Sequence, residues 1–162
     1  MYSWGIVNMK IIVDADACPV IGIVEAEAWQ NKIPVTLVCD TAHLFHSDYS
    51  QVVTVEKGAD SADFKIVTMA EKGDIVVTQD YGVASMCLGK GVFPIHQSGK
   101  WYTAENIDQM MFERHIAKEV RRKTRKNHLK GPKKRTQEDD DRFRESLKRL
   151  ILEEKGEAGE TE

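Results

Sequence analysis

At 162 residues the chain has the length of one domain, able to bury roughly two thirds of its unfolded surface around a single core. Its 41% hydrophobic and 30% charged residues are ordinary for a globular protein, and no apolar run approaches the roughly 18 residues of a membrane span, so a membrane partner is excluded at this level. The net charge of -3 hides a partition: residues 114 to 135 hold 11 lysines and arginines against Glu119 alone, while the chain on either side is acidic.

Residues 1 to 8 precede the first strand and carry no functional weight; the start MYSWGIVNMK lacks the zones of a secretory signal, which predicts a cytoplasmic protein. The run KIIV, Lys10 to Val13, is short, β-branched and ends at Asp14, as a buried central strand does. PVIGIVEAEAWQ predicts a helix beginning at Pro19, since proline suits a first helical turn. IPVTLVCD is a second strand, residues 41 to 50 read as a loop, and QVVTVE is a third strand. GADSADFKIVTMAEKG sets Phe64, Ile66, Val67 and Met69 at helical spacing, with Gly73 as the stop. DIVVTQD supplies a fourth strand, YGVASMCLGKG a short helix and VFPIH a fifth strand.

A long helix is expected from Ala104 to about Lys126, where KGPKK breaks it. The last, from Glu138 to Glu154, carries Phe143, Leu147, Leu150 and Ile151 on one face, and GEAGETE behind it reads as disordered. Strands alternating with helices predict an α/β fold with a mainly parallel sheet of about five strands and right-handed crossovers, whose sites form beyond the strand carboxyl ends. The units are an α/β domain over residues 9–120, a basic segment with the C-terminal helix over 121–155, and a tail over 156–162.

Aspartates recur where that architecture gathers residues: Asp14 and Asp16 after the first strand, Asp60 or Asp63 opening a helix, and Asp80 after the fourth strand. Magnesium or manganese takes hard oxygen ligands, commonly one or two carboxylates with waters, and carboxylates clustered without a cation repel one another. In phosphoryl chemistry such an ion lowers the pKa of a nucleophilic water and stabilises the departing oxygen. An aspartate after a strand is also a common turn former or helix cap, and Asp60 is the position where capping is the stronger reading. Thr78 and Ser85 could orient a ligand there.

The runs VDADACPV, GADSADFKIV, GDIVVTQDYGVA, YTAENI and GPKKRTQEDDDRFRESL, taken together over residues 9 to 152, resemble the YaiI/YqxD family of bacterial proteins. That family is similar in turn to the PIN-like nucleases, which implies a Rossmann-like sheet with acidic residues binding magnesium or manganese at the strand ends. The resemblance places catalytic roles on Asp14, on Asp60 or Asp63, and on Asp80. Where it leads one to expect an arginine and a glycine after the fifth strand, this chain has HQSGKWY, with Lys100 as the available cation.

The basic block RRKTRKNHLKGPKKR spans 121 to 135. Arg121, Arg122, Lys123, Arg125, Lys126, Lys130, Lys133, Lys134 and Arg135 form the footprint of a polyanion and predict salt-dependent, sequence-tolerant nucleic-acid binding. The rival reading pairs these cations with Asp139, Asp140 and Asp141. Arg114 could stabilise phosphoryl charge in the acidic site, although an ion pair with Glu113 or another carboxylate is the simpler expectation. His43 and His46 lack a partner set for zinc, and Cys18 lacks the arginine of a cysteine phosphatase loop. Trp101 and Tyr102 suit either base stacking or core packing.

Three functions follow. The first is a magnesium- or manganese-dependent nuclease acting on RNA before DNA, with Asp14, Asp63 and Asp80 holding the ion. In the second, DADAC serves as the nucleophile loop of an aspartate phosphatase, with Asp14 attacking and Asp16 as acid and base, a reading that Asp74 opposes because it precedes its strand. The third is a nucleic-acid-binding protein without catalysis.

Overall fold

A strand covered by helices on both faces shows no side to water and reads as a continuous apolar run. Ile11, Ile12 and Val13 are buried in this way, as are Ile75, Val76 and Val77. The computed structural model, which describes residues 8–40, 46–58, 60–124 and 133–160, is a Rossmann-like α/β fold. Its order is β1 (Ile11–Asp14), α1 (Ile21–Asn31), β2 (Val35–Asp40), β3 (Gln51–Val55), α2 (Ser61–Met69), β4 (Ile75–Val77), α3 (Tyr81–Gly89), β5 (Phe93–Ile95), α4 (Ile107–Lys123) and α5 (Gln137–Glu160).

All five strands run parallel, in the order β3-β2-β1-β4-β5. The chain winds outward from β1 through β2 to β3, then returns to the far side of β1 for β4 and β5. The strand order therefore reverses between β1 and β4, and a crevice opens at their carboxyl ends. Register fixes what stands there: Val13 pairs with Val77, so the next residues, Asp14 and Thr78, emerge side by side.

Alternation divides the sheet into two cores. Ile11, Val13, Leu37, Val77 and Ile95 meet α1 and α5 on one face, through Val24, Ala28, Phe143, Leu147 and Ile151. Ile12, Val38 and Val76 meet α2 and α3 on the other, through Ile66, Val83 and Cys87. A smaller cluster of Ala84, Tyr102, Ile107 and Met110 docks the start of α4 on α3.

Two helices begin later than their sequence patterns suggest. Ala17 takes a left-handed conformation at φ 59, which turns the chain after Asp16 and delays α1 from Pro19 to Ile21. Before α4, Thr103 and Asn106 exchange side-chain to backbone hydrogen bonds of 2.9 and 3.1 Å, so residues 104 to 106 form a turn and the helix opens at Ile107. Among the described residues α4 ends at Lys123. α5 runs to Glu160 and so carries the expected disordered tail on as helix that far. No described helix is long and apolar enough to cross a membrane.

The C-terminal helix contributes Phe143, Leu147 and Ile151 to the main core, all essentially without exposure. Truncating a buried phenylalanine removes its transfer energy and leaves a cavity. Phe143→Ala is therefore expected to destabilise the protein by about 3–5 kcal/mol in urea unfolding. A loss under about 1 kcal/mol would mean that α5 is dispensable to the core.

Candidate active site

The crevice between β1 and β4 is built around one threonine. The Thr78 hydroxyl donates to Asp14 Oδ2 at 3.1 Å and accepts the Asp80 amide at 3.0 Å, so it ties the end of β1 to the entry of α3. Asp80 is the N-cap of α3, its Oδ1 accepting the Val83 amide at 3.0 Å. Capping and a chemical role are compatible here, because the cap fixes the carboxylate without using all of its lone pairs. Gly82 keeps the approach open: a Cβ there would stand 3.1 Å from Asp80 Oδ1.

Asp14, Asp16, Gln79, Asp80 and Arg114 line one cavity of about 200 Å³. Asp16 Oδ2 accepts the Asp40 amide at 3.1 Å, which anchors this carboxylate to the end of β2. Gln79 Nε2 donates to the Ala17 carbonyl at 3.3 Å across the crevice. Asp80 also lines a second cavity of about 530 Å³ between α2 and α3, with Asp60 and Asp63 at its polar end and Phe64, Val67 and Met86 along its apolar length. The acidic positions thus occupy two adjoining cavities that share Asp80.

Mutual proximity is visible in their acidities. Burial pushes the Asp14 carboxyl up to about 6, the Thr78 hydrogen bond opposes this, and the charges of Asp63, Asp16 and Asp80 add to the rise. Burial also raises Asp63, and the neighbouring charges of Asp80 and Asp60 add to the rise. Asp60 sits at the N-cap position of α2 at φ 66 but makes no side-chain cap, so the capping role expected for it is not the one observed.

The donor chemistry suits a hard divalent cation. No three described His, Cys, Asp or Glu side chains gather at ligating distance round one point. Magnesium is nonetheless commonly held by one or two carboxylates and completed by water, and Asp14 and Asp80, oxygen donors on one small polar cavity, fit that mode.

Arg114 makes no ion pair among the described residues. Its guanidinium lies over the Tyr81 ring, 5.2 Å from the centroid, and donates to the Gln79 carbonyl at 3.4 Å, at the edge of the acidic cavity. Tyr102 is core, its buried hydroxyl donating to the Thr78 carbonyl at 3.0 Å, and Trp101 packs beside the core under Arg149. Ser85 is exposed on α3 and lines neither cavity. Cys18 is held as a thiol, its pKa raised by burial, which disfavours a nucleophile. His46 is exposed beside Asp48, and His43 lies outside the described residues. Asp74 is buried at the start of β4, bound by Lys10 Nζ at 2.7 Å and by the Lys10 and Glu71 amides, far from the strand ends that a phosphatase would use.

The basic block divides. Arg121, Arg122 and Lys123 are exposed on the last turn of α4, Arg122 pairing with Glu119 at 2.9 Å. Arg125, Lys126 and Lys130 lie outside the described residues. Lys133 and Lys134 are exposed, whereas Arg135 binds Asp140 at 2.6 Å and the Gln97 carbonyl at 3.0 Å, fastening the start of α5 to the loop after β5. Asp139 and Asp141 pair with Arg142 and Arg144 instead.

His96, directly after β5, was not legible as a candidate. Its Nδ1 accepts the Ser98 amide at 3.0 Å, which leaves the proton on Nε2, and burial with the charges of Arg135, Arg114 and Lys100 lowers its pKa. Its place at a strand carboxyl end was the available signal. The largest of the cavities described, about 640 Å³ beside Trp29 and Tyr49, lies at the opposite end of the sheet from the carboxylates.

Comparison with known proteins gives the family. The family described as "Uncharacterized BCR, YaiI/YqxD family" matches residues 12–153. A UPF0178 protein of Clostridium acetobutylicum is 59% identical over 144 residues, covering 89% of this chain and 97% of the relative. One of Lachnoclostridium phytofermentans is 54% identical, covering 88% and 97%, and one of Clostridium kluyveri 49%, covering 89% and 93%. No solved structure matches the chain significantly. With the match extending from the first strand into the last helix, the chain belongs to the YaiI/YqxD family.

Proposed function

We propose that this protein is a cytoplasmic, magnesium- or manganese-dependent nuclease that hydrolyses phosphodiesters in single-stranded nucleic acid, RNA before DNA. The observation that carries the reading is the convergence of Asp14 and Asp80 on one cavity at the reversal of strand order, held there by Thr78. Three unpaired thiols, at Cys18, Cys39 and Cys87, suit a reducing compartment.

When bound, the divalent ion supplies a water of lowered pKa and neutralises phosphate charge. The chain's own residues do the rest. Asp14 and Asp80 present oxygens whose directions are set by the Thr78 hydroxyl and the α3 cap. Arg114 offsets negative charge on the phosphoryl oxygens from the same cavity. Phe64, 74% exposed at the rim of the α2–α3 groove, offers an unpaired base a ring to stack on, which is how single strands are held without sequence readout. Exposed Arg121, Lys123, Lys133 and Lys134 supply phosphate contacts.

One observation favours a second reading, binding without cleavage: Asp80 already serves as a helix cap, its Oδ1 accepting the Val83 amide. Asp80→Asn separates the two, since asparagine caps as well as aspartate but ligates a cation poorly. Cleavage of a fluorescent RNA oligonucleotide in manganese is expected to fall on the order of 10²-fold or more in Asp14→Asn and Asp80→Asn, with affinity in EDTA preserved. An untouched rate in both variants, or no cleavage by the wild type, would remove the nuclease. Phe64→Ala should weaken single-strand affinity by about 1–3 kcal/mol and leave duplex affinity unchanged; equal losses on both would refute the stacking role.

The raised pKa of Asp14 makes a stability prediction for the metal-free protein. A folded value of about 6 above the ordinary 3.8 means that the fold prefers the protonated form. Its contribution is fully present below pH 4 and is lost as pH rises through 6, a cost on the order of 3 kcal/mol once the group is ionised. Asp14→Asn is expected to match the wild type near pH 4 and to melt higher at pH 8. A lower melting temperature at pH 8 would contradict this.

A further inference from the structure

α4 is two helices in one. Only Ile107 and Met110 are buried, against Ala84 and Tyr102, and from Met111 to Lys123 no residue is buried. That stretch extends roughly 20 Å beyond the docked turn. Its outward side is apolar: Phe112 is 64% exposed, Ile116 45% and Val120 48%. Residues four apart on a helix share a face, so the three form one stripe, turned away from Ile107, Met110 and Arg114, which face α3.

We infer that this stripe is a homodimer surface on which α4 of a second copy packs antiparallel about a two-fold axis near Ile116. The choice of occupant rests on charge. α4 begins with Asp108 and ends with Arg121, Arg122 and Lys123. Antiparallel pairing sets the acidic end of each helix against the basic end of its neighbour, while parallel pairing would oppose the two basic ends. The stripe is self-complementary in the same orientation, with Phe112 of one copy meeting Val120 of the other and Ile116 meeting itself. A polyanion would be drawn to the basic end but has no use for the apolar centre.

One helix pair buries less than the roughly 800 Å² per partner of a standard interface, so dissociation in the micromolar range is expected. The pairing also carries Arg121 to Lys123 of one copy alongside the first turns of the other's α4, the helix that brings Arg114 to the acidic cavity. It does not depend on the nuclease reading and stands or falls separately from it.

Sedimentation equilibrium of the full chain over roughly 1–200 µM tests it. A monomer–dimer equilibrium is expected for the wild type, and a monomer throughout for Ile116→Glu, whose circular dichroism melt should be unchanged because the side chain touches little within its own chain. Asp108→Arg should weaken association about tenfold, and Lys123→Glu in the same chain should restore it, a rescue that a merely structural defect would not show. A wild type that stays monomeric, a dimer that survives Ile116→Glu, or a charge swap without rescue would each overturn the proposal.

Discussion

Carboxylates withdrawn from water and set within each other's field are held together only at a cost, and the carboxyl-end crevice of this sheet is arranged around that cost. Sheet order makes β1 and β4 neighbours, register stands Asp14 beside Thr78, and the hydroxyl ties Asp14 to the residue that opens α3. Burial first, and then the charges of Asp63, Asp16 and Asp80, raise the pKa of Asp14, and burial with the charges of Asp80 and Asp60 raises that of Asp63. Helix capping needs only Asp80, and no turn needs Asp14 or Asp63. A strained constellation that folding does not require is the usual mark of a site.

The central strands were legible in the sequence because burial on both faces leaves an uninterrupted apolar run: KIIV and DIVV could hardly be anything else. Placing an aspartate beyond each was likewise legible, since parallel strands put their carboxyl ends on one edge. What could not be read was the bridge. Thr78 meets Asp14 across 64 positions, and that contact exists only once the β1–β4 register is set. Helix starts were misjudged where one residue overrode periodicity, as Ala17 does before α1 and the Thr103–Asn106 pair does before α4. Composition alone also stopped the last helix too soon: its packed apolar face ends at Ile151, Lys155 Nζ then donates to Asn31 Oδ1 of α1 at 3.0 Å, and the helix continues to Glu160.

Sequence also treated the basic block as one feature, and three dimensions sort it. Arg135 is spent inside the fold, joining Asp140 to the Gln97 carbonyl, and so belongs with the core rather than with a ligand. The reading that paired the block with Asp139 to Asp141 holds for this one residue, while Asp139 and Asp141 find partners within α5. Arg121, Lys123, Lys133 and Lys134 remain on the surface, where their charge is available to a polyanion.

That division explains how α4 serves two purposes. Residues two apart on a helix point roughly 200° from each other, so Arg114 and Ile116 cannot look the same way. Arg114 is turned onto Tyr81 and the acidic cavity, and Ile116 therefore outward. A surface helix whose far side were merely solvated would carry charged residues at 112, 116 and 120, and this one does so only on the flanks. Contacts with Tyr81 and the Gln79 carbonyl account for the inner face, but Phe112, Ile116 and Val120 need an apolar partner, and the helix's own polarity of charge selects an inverted copy of itself.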